Sequence, residues 1–211
     1  MTRTPKPAVF VDRDGTLNEM VYDETHGVMD SPFRPEHLAL KRQAGPFVRA
    51  LNELGFLVIV VSNQPGLAKG TLTPLRLDRI HQKLRDDLAH AGARVDGIYY
   101  CPHHPDPGPG AVPEYTGYCE CRKPEPGLLF RAADDHGIDM RRSILVGDGL
   151  NDVEAGRAAG VTTILVSALK PEVLECLQAR PEAQPDHVVR DLNGALTVIR
   201  SLREESVHSR S

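Results

Sequence analysis

Residues 8–17 read AVFVDRDGTL, and the placement of this stretch decides the fold. Ala8 to Val11 is an unbroken apolar run, as in a strand buried on both faces of a sheet. It ends in Asp12 and Asp14, and Gly15 follows as a turn residue. Positions two apart on a strand share a face, so the two carboxylates emerge together where the strand stops. Carboxylates held that close repel unless a cation lies between them. The pair fits a divalent-metal site with a nucleophile and an acid/base, which is a phosphoryl-transfer arrangement. Asp-x-Asp-Gly also suits a plain turn, and this stretch alone does not separate the two readings.

Outward from it, strands and helices alternate. Pro46–Leu54 reads as a helix stopped by Gly55. Phe56–Ser62 (FLVIVVS) reads as a central parallel strand. Thr73-Pro74 opens a helix with a stripe of Leu77, Ile80, Leu84 and Leu88. Gly97–Tyr100 reads as a short strand, Leu128–His136 as a helix, Ser143–Gly147 as a strand, Asp152–Ala159 as a helix and Val161–Val166 as a strand. A weaker strand at His187–Val189 precedes a helix over Leu192–Leu202. This alternation predicts an α/β fold, a Rossmann-like three-layer α/β/α domain with a mainly parallel central sheet. Ligands bind beyond the carboxyl ends of such strands. Asp12, Asp14, Ser62, Asn63 and Asp148 all fall there. One domain is expected over residues 1–202, with a loop insert at about 101–121 and a disordered tail at 203–211. The spacing between the first two strand ends leaves no room for a large cap domain, so the site should be open.

Composition narrows the function classes. The chain has 211 residues, 40% of them apolar and 26% charged, ordinary values for a globular protein. Its net charge of −4 gives no general attraction to nucleic acid, so an anionic substrate needs local positive charge. No run reaches membrane-spanning length, and the N-terminus lacks a signal-peptide apolar core. A cytoplasmic monomer without nucleic-acid or membrane partners is expected.

Further polar groups follow the strands. Ser62, Asn63 and Gln64 offer hydroxyl and amide groups to a phosphate, or serve loop geometry. Arg122 and Lys123 precede a helix. Lys123 supplies a cation to a phosphoryl group and the acidic cluster, Arg122 a bidentate grip on an oxyanion, unless the two are a solvated pair. Asp148 suits a metal. Asp152 orients Lys123 or a metal-bound water, or caps a helix that Asn151 could cap equally.

DRDGTL, VVSNQ, RKP and GDGLND, in this order, resemble the four motifs of the haloacid dehalogenase superfamily of phosphatases, over about residues 8–166. Single short motifs are weak, but the ordered set is specific. The resemblance implies that Asp12 is the nucleophile forming an aspartyl-phosphate. It implies that Asp14 protonates the leaving alcohol and later activates water. Ser62 and Asn63 become phosphate ligands and Lys123 the third-motif lysine. Mg²⁺ is then held by Asp12, Asp148 and Asp14, the last through its backbone carbonyl.

Cys101, His103, Cys119 and Cys121 supply the Cys₃His set of a closed zinc site. His104 is an alternative ligand, and Cys176 is most simply a packing residue. A zinc ion there would tie down a Pro- and Gly-rich loop that cannot form its own core. CPHHPDP…CECRKPEPG resembles the bacterial D-glycero-D-manno-heptose 1,7-bisphosphate phosphatase family, which implies a sugar bisphosphate substrate losing its 7-phosphate. Histidinol-phosphate phosphatases carry a shorter zinc loop and are the enzyme alternative. A zinc-stabilised module that binds a phosphorylated ligand without turnover is the non-enzyme alternative. Two departures stand out. Gly149 sits where a substrate-contacting side chain is expected. Glu19–Gln43, with His26, Arg34, His37, Lys41 and Arg42, is longer than in that family. This segment either closes over the site and binds a second phosphate, or is a surface loop with solvated charges.

Overall fold

The computed structural model describes residues 5–24, 27–167, 175 and 177–208, without the side chains of Asp23, Glu182 and residues 206–208. His26 and Cys176 lie outside the described residues. In chain order the strands and helices are β1 (Ala8–Val11), β2 (Val21–Asp23), β3 (Val28–Asp30), α1 (Ala44–Glu53), β4 (Leu57–Asn63), α2 (Pro74–His90), β5 (Gly97–Cys101), α3 (Gly127–His136), β6 (Ile144–Gly147), α4 (Leu150–Ala158), β7 (Thr162–Val166), β8 (His187–Val189) and α5 (Leu192–His208).

Six strands form one sheet in the order β5-β4-β1-β6-β7-β8, and every neighbouring pair is parallel. The period of two along β1 and β4 divides the core. Val9, Val11, Val58 and Val60 pack with Phe47 and Leu51 of α1, Leu77 and Leu84 of α2, and Ile199 of α5. Ala8, Phe10, Ile59 and Val61 pack on the other face with Leu128 and Leu129 of α3 and Ala155 of α4. The result is the expected three-layer α/β/α arrangement. Because β1 is central and its four residues are wholly buried, the residue that follows it is fixed by packing on both sides. Truncating Phe10, which is fully buried, would cost about 3–5 kcal/mol.

Two local readings change. Residues 203–208 are not a disordered tail: α5 continues to His208. Leu202 still packs on the core, and the Arg203 guanidinium lies 5.8 Å from the centre of the Phe56 ring, within cation–π range. Residues 209–211 lie outside the described residues. The segment after Glu19 contains a hairpin, with Val21 opposite Asp30 and Tyr22 opposite Met29. Its two ends are closed by Glu19 N–H to Ala39 O and Lys41 N–H to Leu17 O, both 2.9 Å, and Leu38 is buried. The segment thus leaves the loop after β1 and returns to it.

Candidate active site

The strand ends deliver the polar groups to one place. Asp12 N–H donates to Val146 O at 2.9 Å, tying the residue after β1 to β6 and bringing Asp12 beside Asp148. Gly15 has φ +86°, and a Cβ on it would lie 2.2 Å from Asp148 Oδ2. Only glycine allows both the turn and the close approach. Thr16 Oγ1 donates to Asp148 Oδ1 at 2.8 Å. Lys123 arrives from the loop before α3, almost wholly buried. Its Nζ donates to Asp12 Oδ1 at 2.6 Å, Asp152 Oδ1 at 2.5 Å and Val61 O at 2.9 Å, using all three ammonium donors. Asp152 also accepts from Gly149 N–H at 3.1 Å through Oδ2. This is the reciprocal bond of an α4 N-terminus capped by Gly149. Asp152 therefore orients Lys123 and closes the cap at the same time.

One buried ammonium pairs with two carboxylates, and a third, Asp148, lies beside them. Asp12, Asp148 and Asp152 each place an oxygen within 4.8 Å of the others. Burial pushes the Asp12 carboxyl well above the usual carboxylate range. Lys123 opposes this, and the charges of Asp152, Asp148 and Asp14 add to it. Burial would favour proton loss from Lys123, but Asp12 and Asp152 outweigh it and hold the ammonium protonated. Burial also raises Asp148. An all-oxygen donor set with excess negative charge fits a hard divalent cation such as Mg²⁺.

The Asp14 side chain is not in that group. It turns inward, where Arg13 Nε and Nη2 donate to its two oxygens at 3.0 and 2.8 Å. Gln64 Nε2 donates at 2.7 Å, Asn18 Nδ2 at 3.1 Å and Ser62 Oγ at 3.3 Å. Burial opposes ionisation of Asp14, but Arg13, Asn18 and Gln64 outweigh it and hold its carboxyl below the usual range. Of Asp14, only the backbone carbonyl remains as a metal ligand.

Four residues expected to bind phosphate or substrate make hydrogen bonds within the protein. Asn63 exchanges two hydrogen bonds with the Lys123 backbone, Nδ2 to O at 2.9 Å and Oδ1 from N–H at 3.0 Å. It clamps the lysine loop to β4 with both ends of its amide. Ser62 and Gln64 are buried and joined to each other at 2.8 Å. Arg122 commits Nη1 to His103 O at 3.0 Å, which couples it to the thiol cluster. Three neighbours carry no expectation from the sequence: Arg13 and Asn18 are fully buried around Asp14, and Thr16 holds Asp148. Lys41, from the segment expected either to reach the site or to be solvated, donates through Nζ to Gly15 O.

Cys101, His103, Cys119 and Cys121 converge at the end of β5. The Cys101–Cys119 and Cys119–Cys121 Sγ pairs are 3.4 Å apart. His103 Nδ1 lies 3.7 Å from Cys101 Sγ and 3.5 Å from Cys121 Sγ. Disulfides are excluded at that length, whereas ligands on a tetrahedral zinc would stand about 3.5–3.8 Å apart. His104 is not in the cluster; its Nδ1 accepts from Asp106 N–H at 3.1 Å.

Carboxylates gathered beyond a parallel sheet around a buried lysine make a site suited to phosphoryl transfer. The Hydrolase_like (HAD-hydrolase-like) family model matches residues 120–195. The D-glycero-beta-D-manno-heptose-1,7-bisphosphate 7-phosphatase of Yersinia pestis is 38% identical over 187 residues, 88% of this chain and 91% of that protein. The enzyme of the same name from Escherichia coli (strain K12) is 41% identical over 166 residues, 78% of this chain and 81% of that protein. The D,D-heptose 1,7-bisphosphate phosphatase of B. bronchiseptica, solved with magnesium and phosphate, superposes with a TM-score of 0.73. It is 28% identical, covering 92% of this chain and 98% of that one. The chain belongs to the heptose bisphosphate phosphatase family of HAD-like hydrolases.

Proposed function

We propose that this chain is a Mg²⁺-dependent phosphatase that removes the 7-phosphate of D-glycero-D-manno-heptose 1,7-bisphosphate through a phosphorylated Asp12. The observation that carries the reading is the Asp12–Lys123 contact at 2.6 Å beside Asp148. It places a carboxylate nucleophile, its counter-cation and a metal-binding oxygen at one strand end. The names of the relatives at 38% and 41% identity support the substrate.

Asp12 Oδ attacks phosphorus, and the bond from phosphorus to the sugar oxygen breaks. The leaving oxygen takes its proton from Asp14. Water then attacks the phosphorus of phospho-Asp12, gives its proton to Asp14, and breaks the Asp12–phosphorus bond to release phosphate. Asp14 is held ionised against Arg13 in the resting arrangement, so its acid role requires it to turn off Arg13 and take up a proton. Lys123 keeps positive charge beside the attacking oxygen, and Arg122, with Nη1 on His103 O, has further guanidinium donors with which to grip a substrate oxyanion. Mg²⁺ held by Asp12, Asp148 and the Asp14 carbonyl would offset the repulsion between carboxylate and phosphate. Zn²⁺ on Cys101, His103, Cys119 and Cys121 would staple the loop that presents Arg122 and Lys123.

No helix among the described residues is long and apolar enough to cross a membrane. The proposal is a cytoplasmic monomer acting on a small molecule; the net charge of −4 gives no general attraction to nucleic acid. The test is phosphate release from heptose 1,7-bisphosphate and histidinol phosphate with and without Mg²⁺. The expected result is Mg²⁺-dependent release with the higher kcat/KM on the bisphosphate. Preference for histidinol phosphate, or release from neither, contradicts the reading.

A further inference from the structure

The segment inserted after β1 ends by setting one cation against the turn that follows the nucleophile. Lys41 N–H donates to Leu17 O, and Lys41 O accepts from Ala44 N–H, both at 2.9 Å. The Lys41 backbone is thereby pinned between the loop after β1 and the start of α1. Its half-buried side chain reaches the turn, where Nζ donates to Gly15 O. Gly15 in turn packs on Asp148 so closely that a Cβ would lie 2.2 Å from Asp148 Oδ2. The ammonium therefore acts on Asp148 as well. Burial raises the Asp148 carboxyl, and the Thr16 hydrogen bond and the Lys41 charge oppose that rise. Lys41 has no ion-pair partner among the described residues. Glu19, which lines the same open cavity, is exposed and screened by solvent.

Asp12, Asp148 and Asp152 bring three negative charges to the strand ends, and Lys123 returns one positive charge. Asp14 and Arg13 cancel as a pair at 2.8 Å. Two negative charges remain, which a divalent cation cancels. A cluster brought to neutrality has no net charge with which to draw a phosphate dianion. Lys41 supplies one positive charge in excess. The same charge repels a divalent cation held by Asp148.

We propose that Lys41 is a positioning residue that sets the charge of the site, weakening its hold on Mg²⁺ and strengthening its hold on the phosphoryl dianion. It acts through Gly15 and Asp148. The inference rests on the phosphatase reading above and deepens it, by assigning a role to a side chain of the inserted segment. The two effects have opposite signs, which separates charge from scaffolding. A side chain that only propped the Gly15 turn would, when lost, weaken both ligands.

The test titrates Mg²⁺, and then inorganic phosphate at saturating Mg²⁺, into the full-length enzyme by calorimetry. Wild type is compared with Lys41→Gln, which keeps an N–H donor for Gly15 O and removes the charge. Lys41→Arg keeps both. The expected result is that Lys41→Gln binds Mg²⁺ about three- to tenfold more tightly and phosphate about three- to tenfold more weakly. Lys41→Arg should follow wild type on both ligands. If Lys41→Gln weakens both ligands, Lys41 is a prop for the turn and the charge assignment falls. Unchanged constants in Lys41→Gln, or a Lys41→Arg that behaves as Lys41→Gln, overturn it equally. Neither titration needs turnover. Phosphate release from heptose 1,7-bisphosphate, measured alongside, tests the phosphatase reading by itself: no release with both shifts present overturns that reading and leaves the charge role of Lys41 standing.

Discussion

Replacing Lys123 with Met tests the centre of the site, because the lysine does two jobs at once. Its ammonium is 3% exposed and lies 2.6 Å from Asp12 and 2.5 Å from Asp152. Met keeps most of the stem volume and removes the charge. Two buried carboxylates then lose their cation, and breaking a buried pair from one side costs about 3–5 kcal/mol. For a chain of this size about 1 kcal/mol moves Tm by about 2–4 °C. The metal-free variant should therefore melt about 6–20 °C below wild type. Turnover should fall by about 10²–10³-fold, as for loss of one preorganised charge at the transition state. The second variant, Lys123→Met with Asp152→Asn, removes one stranded carboxylate. It should regain part of the stability and none of the turnover. Circular-dichroism melts and phosphate release read the two effects separately. A single variant that melts with wild type, or a double variant that recovers turnover with its stability, refutes the argument.

Four further outcomes are expected. Asp12→Asn should fold normally and release no phosphate, checked by melting and by product assay, since the native site already disfavours a charge there. His81 is buried, and burial, with help from Arg13, pulls it from 6.5 to about 3. Below pH 6.5 the unfolded chain takes a proton that the folded chain refuses, so stability is lost as pH falls, by about 2 kcal/mol at pH 5. His81→Gln should remove that part of the loss in urea titrations at pH 7 and 5; equal losses in both proteins would contradict it. Stripping zinc should speed hydrogen exchange over residues 101–121 and slow turnover, and unchanged exchange would deny the cluster a structural role. Gly15→Ala should weaken Mg²⁺ activation, read as a raised half-saturating Mg²⁺ concentration. Its Cβ collides with Asp148 Oδ2 at 2.2 Å and its backbone has φ +86°.

The sheet was legible because periodicity and burial act locally. FVD and VVSN are apolar runs ended by polar residues, and a parallel sheet puts such ends on one edge. That Asp12 and Asp148 meet at one edge was legible for the same reason. Their orientations were not. Asp12 and Asp14 share a strand face on paper, yet the chain turns at Gly15 and Asp14 swings to Arg13, a residue of the same motif whose full burial only the tertiary structure supplies. Asn63 was assigned to phosphate by the resemblance of VVSNQ to a motif, since its position alone suits loop geometry equally. Its partner in the fold, the Lys123 backbone, is sixty positions away, and no local pattern encodes that. The hairpin after Glu19 was invisible because its strands are three residues each, too short for alternation to register.

Catalysis by this route requires Asp12 to become covalently phosphorylated. The direct measurement mixes the Mg²⁺-loaded enzyme with heptose 1,7-bisphosphate, quenches it in acid within the first turnover, and maps phosphate by peptide mass spectrometry. Phosphate on the peptide carrying Asp12, absent from Asp12→Asn, is the expected result. Product formed in that first turnover with no phosphorylated peptide, water having attacked the substrate directly, would contradict it.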